Sequence, residues 1–322
     1  MLTFVPVLNP ILMSKKIRKL DFDQIIALLK EYDTESIYEK VNIVPNSEDL
    51  LEQMSNYINL KGFSRVAVLG IDIYRYGNYK HLEQTLIPSL FKIMFDKAMR
   101  LSLENNQYVF QYYTKEKIEG SFISTGDGGF LIFDTPLHAL FFAINFEMVV
   151  RAYNAYHLFP KLRSIIGSIS LRYAITRDTI FQLINNYYGS AIINNARILE
   201  RDTLNRCLVD QNTYEWFMTN IDGIENLQVM TIEQIANIYE FLSYDRSLID
   251  EGHNEIIDKE VSRFSGIINS DISKVGQIVS KETMLNIYNL HLQVTMKIFA
   301  DHKTESKRII TISLGNLNTS GI

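Results

Sequence analysis

Hydrophobic and polar positions divide the chain into three regions. In residues 1–62, LDFDQIIALLKEYD (20–33) and SEDLLEQMSNYIN (47–59) carry apolar residues three and four apart, the spacing of helices with one buried face. Ser47 ahead of Leu50, Leu51 and Met54, with Asp49 in the first turn, predicts a capped helix start. Residues 63–235 alternate strand and helix patterns. RVAVLGIDI (65–73) is a nearly continuous apolar run, which predicts a strand buried on both faces. HLEQTLIPSLFKIMFDKAMRLSLENN (81–106) predicts a helix kinked or broken at Pro88. GSFISTGDGGFLIFD (120–134) predicts a hairpin turning at Gly-Asp-Gly-Gly. LHALFFAINFEMVVRAYNAY (137–156) predicts an apolar helix, SISLRYAIT (168–176) a strand, GSAIINNARILER (189–201) a helix, and CLVDQNTYEWF (207–217) a strand followed by a turn.

Residues 236–322 open on a mixed helical stretch. They close on two alternating runs, MLNIYNLHLQVTMKIF (284–299) and KRIITISLGNL (307–317), separated by a polar turn; this predicts a terminal β-hairpin. The order strand, helices, hairpin, helix, strand, helix implies an α+β fold with a mostly antiparallel sheet. We therefore expect an N-terminal helical extension (1–62), a catalytic domain (63–235) and a C-terminal extension (236–322).

Composition narrows the setting. The 322 residues are 47% hydrophobic and 21% charged, ordinary for a globular chain. A formal charge of -5 weighs against a nucleic-acid surface, though not against a nucleotide, which needs only a few local cations. Cys207 is the single cysteine, so no intrachain disulfide forms and a reducing cytoplasm is expected. The opening run MLTFVPVLNPILM spans about 13 residues, too short to cross a bilayer, and its lysines follow it. A buried N-terminal strand or short helix is expected there, with no membrane partner.

Two carboxylates stand out. Asp72 lies inside VLGIDIY, where burial is costly unless the charge is paired or metal-bound. Asp127 sits at the tip of TGDGG. A lone aspartate in a strand, or Gly-Asp-Gly at a hairpin tip, is ordinary; both on consecutive strand units are less so. If the strand lies beside the hairpin, the carboxylates meet at one end of the sheet. They can then hold two Mg²⁺ or Mn²⁺ ions, with the Ile73 carbonyl as a third ligand.

VLGIDIYRYG followed by STGDGGFLIF resembles the class III nucleotide cyclases, as does YYGSAIINNARILE, in which Gly189 precedes Arg197 by eight positions. The three motifs fall in the family's order across about 63–217. The resemblance implies the family's palm-type, ferredoxin-like sheet. It implies that Asp72, Ile73 and Asp127 hold the two metals and that Tyr74, Arg75, Tyr76 and Gly77 cradle phosphates. It also implies that Arg197 stabilises charge on the transferring phosphorus. In family homodimers the metal aspartates come from one chain and the arginine from the other.

The departures bear on the base. Adenylyl cyclases of this family carry a lysine where this chain has Ile123 and an aspartate where it has Asn186. The helix asparagine is replaced by Ile193, with Asn194 and Asn195 adjoining. The usual loop glycine is Arg75. The adenine readers are thus lost and the guanine set is not supplied. GIDIYRYG, SLRYAITRDTI, YYGSAIINNARILE, VGQIVSKETMLNIYNLHLQ and SLGNLNTSGI further resemble the bacterial Pycsar pyrimidine cyclases. This implies a cytidylate or uridylate cyclase, CTP being slightly favoured, whose product activates a separate antiviral effector. An adenylyl or guanylyl cyclase with an unusual pocket, or a non-catalytic nucleotide-binding relative, are the alternatives. His291 is expected to be packed or at an edge, Ser124 and Thr125 structural, and Arg177 and Asp178 a surface ion pair. Lys303, Lys307 and Arg308 are read as a solvated turn.

Overall fold

A computed structural model describes residues 17–31, 46–58, 63–228, 266–279, 284–301 and 306–322. The opening apolar run, the mixed helical stretch that begins at 236, and Lys303 lie outside the described residues.

A short strand β1 (Arg18–Leu20) precedes helices α1 (Phe22–Glu31) and α2 (Glu48–Ile58). Both helices fall where the apolar spacing places them. The Asp21 carboxylate accepts from the N–H groups of Asp23 and Gln24 at the start of α1. At α2 the accepting side chain is Asn46, one residue before the expected Ser47; it takes the Glu48 N–H at 3.0 Å.

The centre of the molecule is an eight-stranded sheet, seven of its strands in the order β11-β10-β8-β5-β2-β4-β3, with β9 on the second side of β10. Its members are β2 (Arg65–Ile73), β3 (Phe122–Ser124), β4 (Gly128–Phe133), β5 (Leu171–Thr179), β8 (Cys207–Asp210), β9 (Gly266–Val279), β10 (Met284–Asp301) and β11 (Ser306–Leu314). Every pairing is antiparallel except β5 with β8. The expected α+β architecture is the one observed. Because β10 pairs directly with β8, the sheet runs unbroken from the central strands into the C-terminal hairpin. β6 (Phe181–Leu183) and β7 (Asn186–Tyr188) join β1 in a separate three-stranded sheet.

Side chains alternate across β2, and this alternation sets the layers. Ala67, Leu69, Ile71 and Ile73 join the main core with α3 (His81–Asn105) and α5 (Pro136–Asn154). α4 (Lys115–Gly120) and α6 (Pro160–Ile166) lie at the margins of that layer. Val66 and Val68 face the other way, toward Ala191 of α7 (Ser190–Arg201). α3 continues through Pro88, which breaks nothing. After β8 the expected turn is instead a helix, α8 (Gln211–Ile221), because Asp210 accepts from the Thr213 N–H at 2.9 Å and caps it. The 14-residue β9 was not foreseen in the pattern of 236–283. His291 is packed, 3% exposed, and burial lowers its pKa.

α7 is pinned to the sheet by Asn195. Its Nδ2 donates to the carbonyls of Val68 and Ala174 and to Thr176 Oγ1. The pin requires a glycine beneath it: a Cβ on Gly70 would overlap Asn195 Oδ1 and stand 2.7 Å from Leu199 Cδ1. Gly70→Ala is therefore expected to reduce the unfolding free energy by about 1–3 kcal/mol, through overpacking, in urea denaturation.

Glu147 on α5 accepts from the Tyr173 hydroxyl at 2.8 Å, and burial pushes its carboxyl up to about 7. A raised carboxyl favours the protonated folded state. Its contribution is complete below the ordinary value of about 4.5 and is lost as pH climbs through 7. Asp210, pushed by burial to about 6, adds a slope in the same window. Glu147→Gln keeps the acceptor and removes one of the two slopes. The variant is expected to gain about 2–3 kcal/mol over wild type between pH 5 and pH 8, read by urea unfolding at both.

Candidate functional site

The site forms where β2 ends. Asp72 is the penultimate residue of β2, opposite Gly128 on β4 and Arg172 on β5. Asp127 sits in the turn between β3 and β4, and its carbonyl accepts from the Ile73 N–H at 3.3 Å. Gly128 makes this approach possible: a Cβ there would overlap the Ile71 carbonyl and stand 3.0 Å from Asp72 Cα. The hairpin tip is held locally by Ser124, whose Oγ accepts from the Gly126 N–H, a structural role as expected.

The two carboxyl groups lie close enough to influence each other's charge. Asp127 has its pKa raised, first by burial and then by the Asp72 charge beside it. Arg172 supplies the local counter-charge, its Nη2 bonding Asp72 Oδ2. Its Nη1 donates to the Asp202 carbonyl at 2.7 Å. Its Nε is buried without a partner among the described residues. Arg172 is not among the candidate residues read from the sequence motifs. The register reveals it: a cation inside one apolar strand lies opposite an anion inside another.

The loop after Asp72 folds back tightly. The Tyr74 N–H donates to the Ser170 carbonyl at 2.9 Å, and Tyr76 to Asn78 form one 3₁₀ turn. Tyr74 is tied to the Thr203 carbonyl and Tyr76 to the Gln84 carbonyl through their hydroxyls, each at 3.0 Å. Arg75 adopts the left-handed region at φ 58° and ψ 38°. The resemblance places a glycine there, and the backbone explains it, since glycine alone occupies that region without steric cost. The Arg75 guanidinium lies 4.9 Å from the Tyr74 ring centre. Tyr74, Arg75, Asn78, Tyr79, Ser168 and Ser170 line a cavity of about 290 Å³. Adding a side chain at Gly77 would meet nothing within 4 Å.

The remaining candidates lie elsewhere. Ile123 is half-buried, packed with Val66, Val68, Ile132, Ile180 and Ala191. Asn186 is exposed at the start of β7, paired with Leu183. Asn194 and Arg197 occupy the half-buried flank of α7, and Arg197 makes no ion pair among the described residues. Asn195, by contrast, is consumed by the sheet. Arg177 and Asp178 form no ion pair with each other among the described residues: the Arg177 N–H points to the Asp210 carboxylate, and Asp178 accepts from the Thr179 N–H. Lys307 and Arg308 belong to β11 and not to a turn.

No group of three or more His, Cys, Asp or Glu side chains able to hold a metal occurs among the described residues. Two carboxylates and main-chain oxygens are nonetheless a hard-oxygen donor set. Mg²⁺-type ions take such a set when a substrate phosphate completes it. Burial and the neighbouring Asp72 charge both raise the Asp127 pKa, and a bound cation would offset both, so the residues fit the group. No helix among the described residues is long and apolar enough to cross a membrane.

No protein-family model matches the chain, and no curated protein sequence does. Among solved structures, an adenylate/guanylate cyclase/hydrolase from Silicibacter pomeroyi is 13% identical, covering 70% of this chain and 95% of its own, with a TM-score of 0.36. The catalytic core of a rhodopsin-guanylyl cyclase with converted specificity, in complex with ATPαS, is 8% identical over 71% and 95%, with a TM-score of 0.39. The adenylyl cyclase CyaB from P. aeruginosa is 14% identical over 70% and 93%, with a TM-score of 0.34. At these TM-scores the functional reading rests on the site's own residues.

Proposed function

We propose that the chain is a nucleotide cyclase that closes a pyrimidine nucleoside triphosphate, CTP in preference to UTP, into its 3′,5′-cyclic monophosphate and diphosphate. The observation that carries this reading is the meeting of Asp72 and Asp127 at one end of the sheet, with Arg172 in contact and the 73–77 loop alongside. Asp72, Asp127 and the Ile73 carbonyl would hold two Mg²⁺ or Mn²⁺ ions. Such ions would supply Lewis-acid polarisation of the attacking hydroxyl and the phosphoryl oxygens.

The substrate's own 3′-hydroxyl forms the new bond to the α-phosphorus and diphosphate leaves, so no nucleophilic side chain is needed. Arg172, anchored on the Asp202 carbonyl, presents a multi-donor cation to the phosphates. The loop Tyr74 to Gly77 orients the triphosphate beside the cavity that Tyr74 and Arg75 line. Arg197 offsets charge on the transferring phosphorus across a homodimer interface, where the site is completed. Ile123 and Asn186, in place of the adenine-reading lysine and aspartate, favour a small ring; Asn186 contacts the pyrimidine edge with Asn194 nearby. The setting we propose is cytoplasmic antiviral defence, the cyclic product acting on a separate effector.

Incubating the purified chain with each of the four NTPs and Mn²⁺, and resolving the products, tests this. Cyclic CMP or cyclic UMP is expected to dominate. Cyclic AMP or cyclic GMP as the main product would overturn the pyrimidine assignment, and no product from any NTP would overturn the cyclase.

A further inference from the structure

Arg172 is held from two sides. One is the Asp72 carboxylate; the other is the main-chain carbonyl of Asp202, just past the end of α7. Asp202 is in turn fixed from behind. Its Oδ1 accepts from Arg206 Nε at 2.9 Å and from the Leu204 N–H at 3.1 Å, and it forms an ion pair with Arg206 Nη2 at 2.8 Å. The two charged side chains are each about 1% exposed.

A guanidinium has five donors, and one buried this deeply needs acceptors for all of them. Arg206 finds two of these acceptors on the segment after β11. Its Nη1 donates to the Ser320 carbonyl at 2.7 Å and to the Asn318 carbonyl at 3.4 Å. That segment is itself stiffened. Asn316 Oδ1 accepts from the Asn318 N–H and Asn318 Oδ1 from the Ser320 N–H, each at 2.9 Å. Asn289 Nδ2 donates to the Asn316 carbonyl and Asn316 Nδ2 to Asn205 Oδ1, each at 2.8 Å. Ile322 packs on the cluster of Ile198, Leu199 and Val275, under the end of α7.

From this chain of contacts we infer that residues 316–320 are positioning groups for the proposed metal and phosphate site. Through Arg206 and Asp202 they keep the Arg172 guanidinium anchored on a carbonyl, so that a divalent cation can take over the Asp72 carboxylate. Without the segment, Arg206 has unmet buried donors and shifts, and Asp202 moves with it. Arg172 then has one strong acceptor left, Asp72, and competes with the cation for it. The inference rests on the two-carboxylate reading above. It differs from a mere cover over an apolar patch, because the effect must pass through Arg172.

Mn²⁺ titration of the nucleotide-free protein, followed by electron paramagnetic resonance, tests it, with Asp72→Asn protein as the blank. Deleting 316–322 is expected to weaken Mn²⁺ binding about tenfold, the scale of losing a group that orients a metal ligand. In an Arg172→Gln background the same deletion is expected to change it less than about twofold, because the competing cation is gone. Arg206→Lys serves where the deletion fails to fold: it keeps the charge facing Asp202 but cannot span both carbonyls. Its weakening is expected to vanish likewise with Arg172→Gln. Equal losses in both backgrounds, or no loss beside native Arg172, would overturn the coupling. A wild-type protein that makes no cyclic nucleotide overturns the proposed activity alone and leaves the Mn²⁺ comparison to decide the coupling.

Discussion

Asp72→Asn is expected to slow cyclic nucleotide formation by about 10²–10³-fold while the protein stays folded. The amide has the same size and can still accept from Arg172, but it no longer supplies a charge for a divalent ion. The fold should tolerate the change well, because Asp127 is raised partly by the Asp72 charge, and that repulsion disappears. Asp127→Asn should fall in the same range. The double variant should be little worse than either alone, since groups acting as one unit lose their whole contribution once. Product formation from the preferred triphosphate, set beside thermal melts of all three variants, checks this. Turnover within about tenfold of wild type for a folded Asp72→Asn protein would remove the carboxylate from the chemistry.

Arg197→Ala is expected to be as inactive as Asp72→Asn, yet an equal mixture of the two variants should recover activity. In a two-fold symmetric dimer each site would take its carboxylates from one chain and its arginine from the other. Random exchange makes about half the dimers mixed, and each mixed dimer has one intact site of two. About a quarter of the wild-type sites should return. Arg197 suits this role: it lies on the half-buried flank of α7 without a carboxylate partner among the described residues. Recovery indistinguishable from the unmixed variants would place both residues in one chain's site, or in none.

Much of this arrangement was legible in the chain. The run 65–73 reads as a doubly buried strand because its residues do face two layers, Leu69 toward α5 and Val68 toward α7. Gly-Asp-Gly-Gly reads as a hairpin tip for a physical reason as well, since Gly128 packs directly against the strand that carries Asp72. Other features were hidden because they depend on partners far along the chain. Arg172 is an ordinary strand residue until β5 is laid beside β2 in register, 100 positions from Asp72. α8 was missed because QNTYEWF has weak helical spacing, and its start depends on the Asp210 cap. β9 was missed because its charged and glycine positions read as irregular until β10 supplies the pairing edge. Asn195 shows the opposite error: a polar residue beside the expected helix asparagine is spent on the sheet.

The clamp on Arg206 also has a temporal meaning. Its acceptors, Asn318 and Ser320, lie 112 and 114 positions downstream of it. A ribosome releases Asp72, Asp127 and Arg172 long before it releases those two carbonyls. The carboxylate pair can therefore assemble on a partial chain, but its bracing waits for β10 and β11 to be threaded and for the segment beyond β11 to dock. In a protein proposed to issue an alarm, this order makes a safeguard: a fragment that stops short of Asn318 carries the reactive groups without the frame that aligns them.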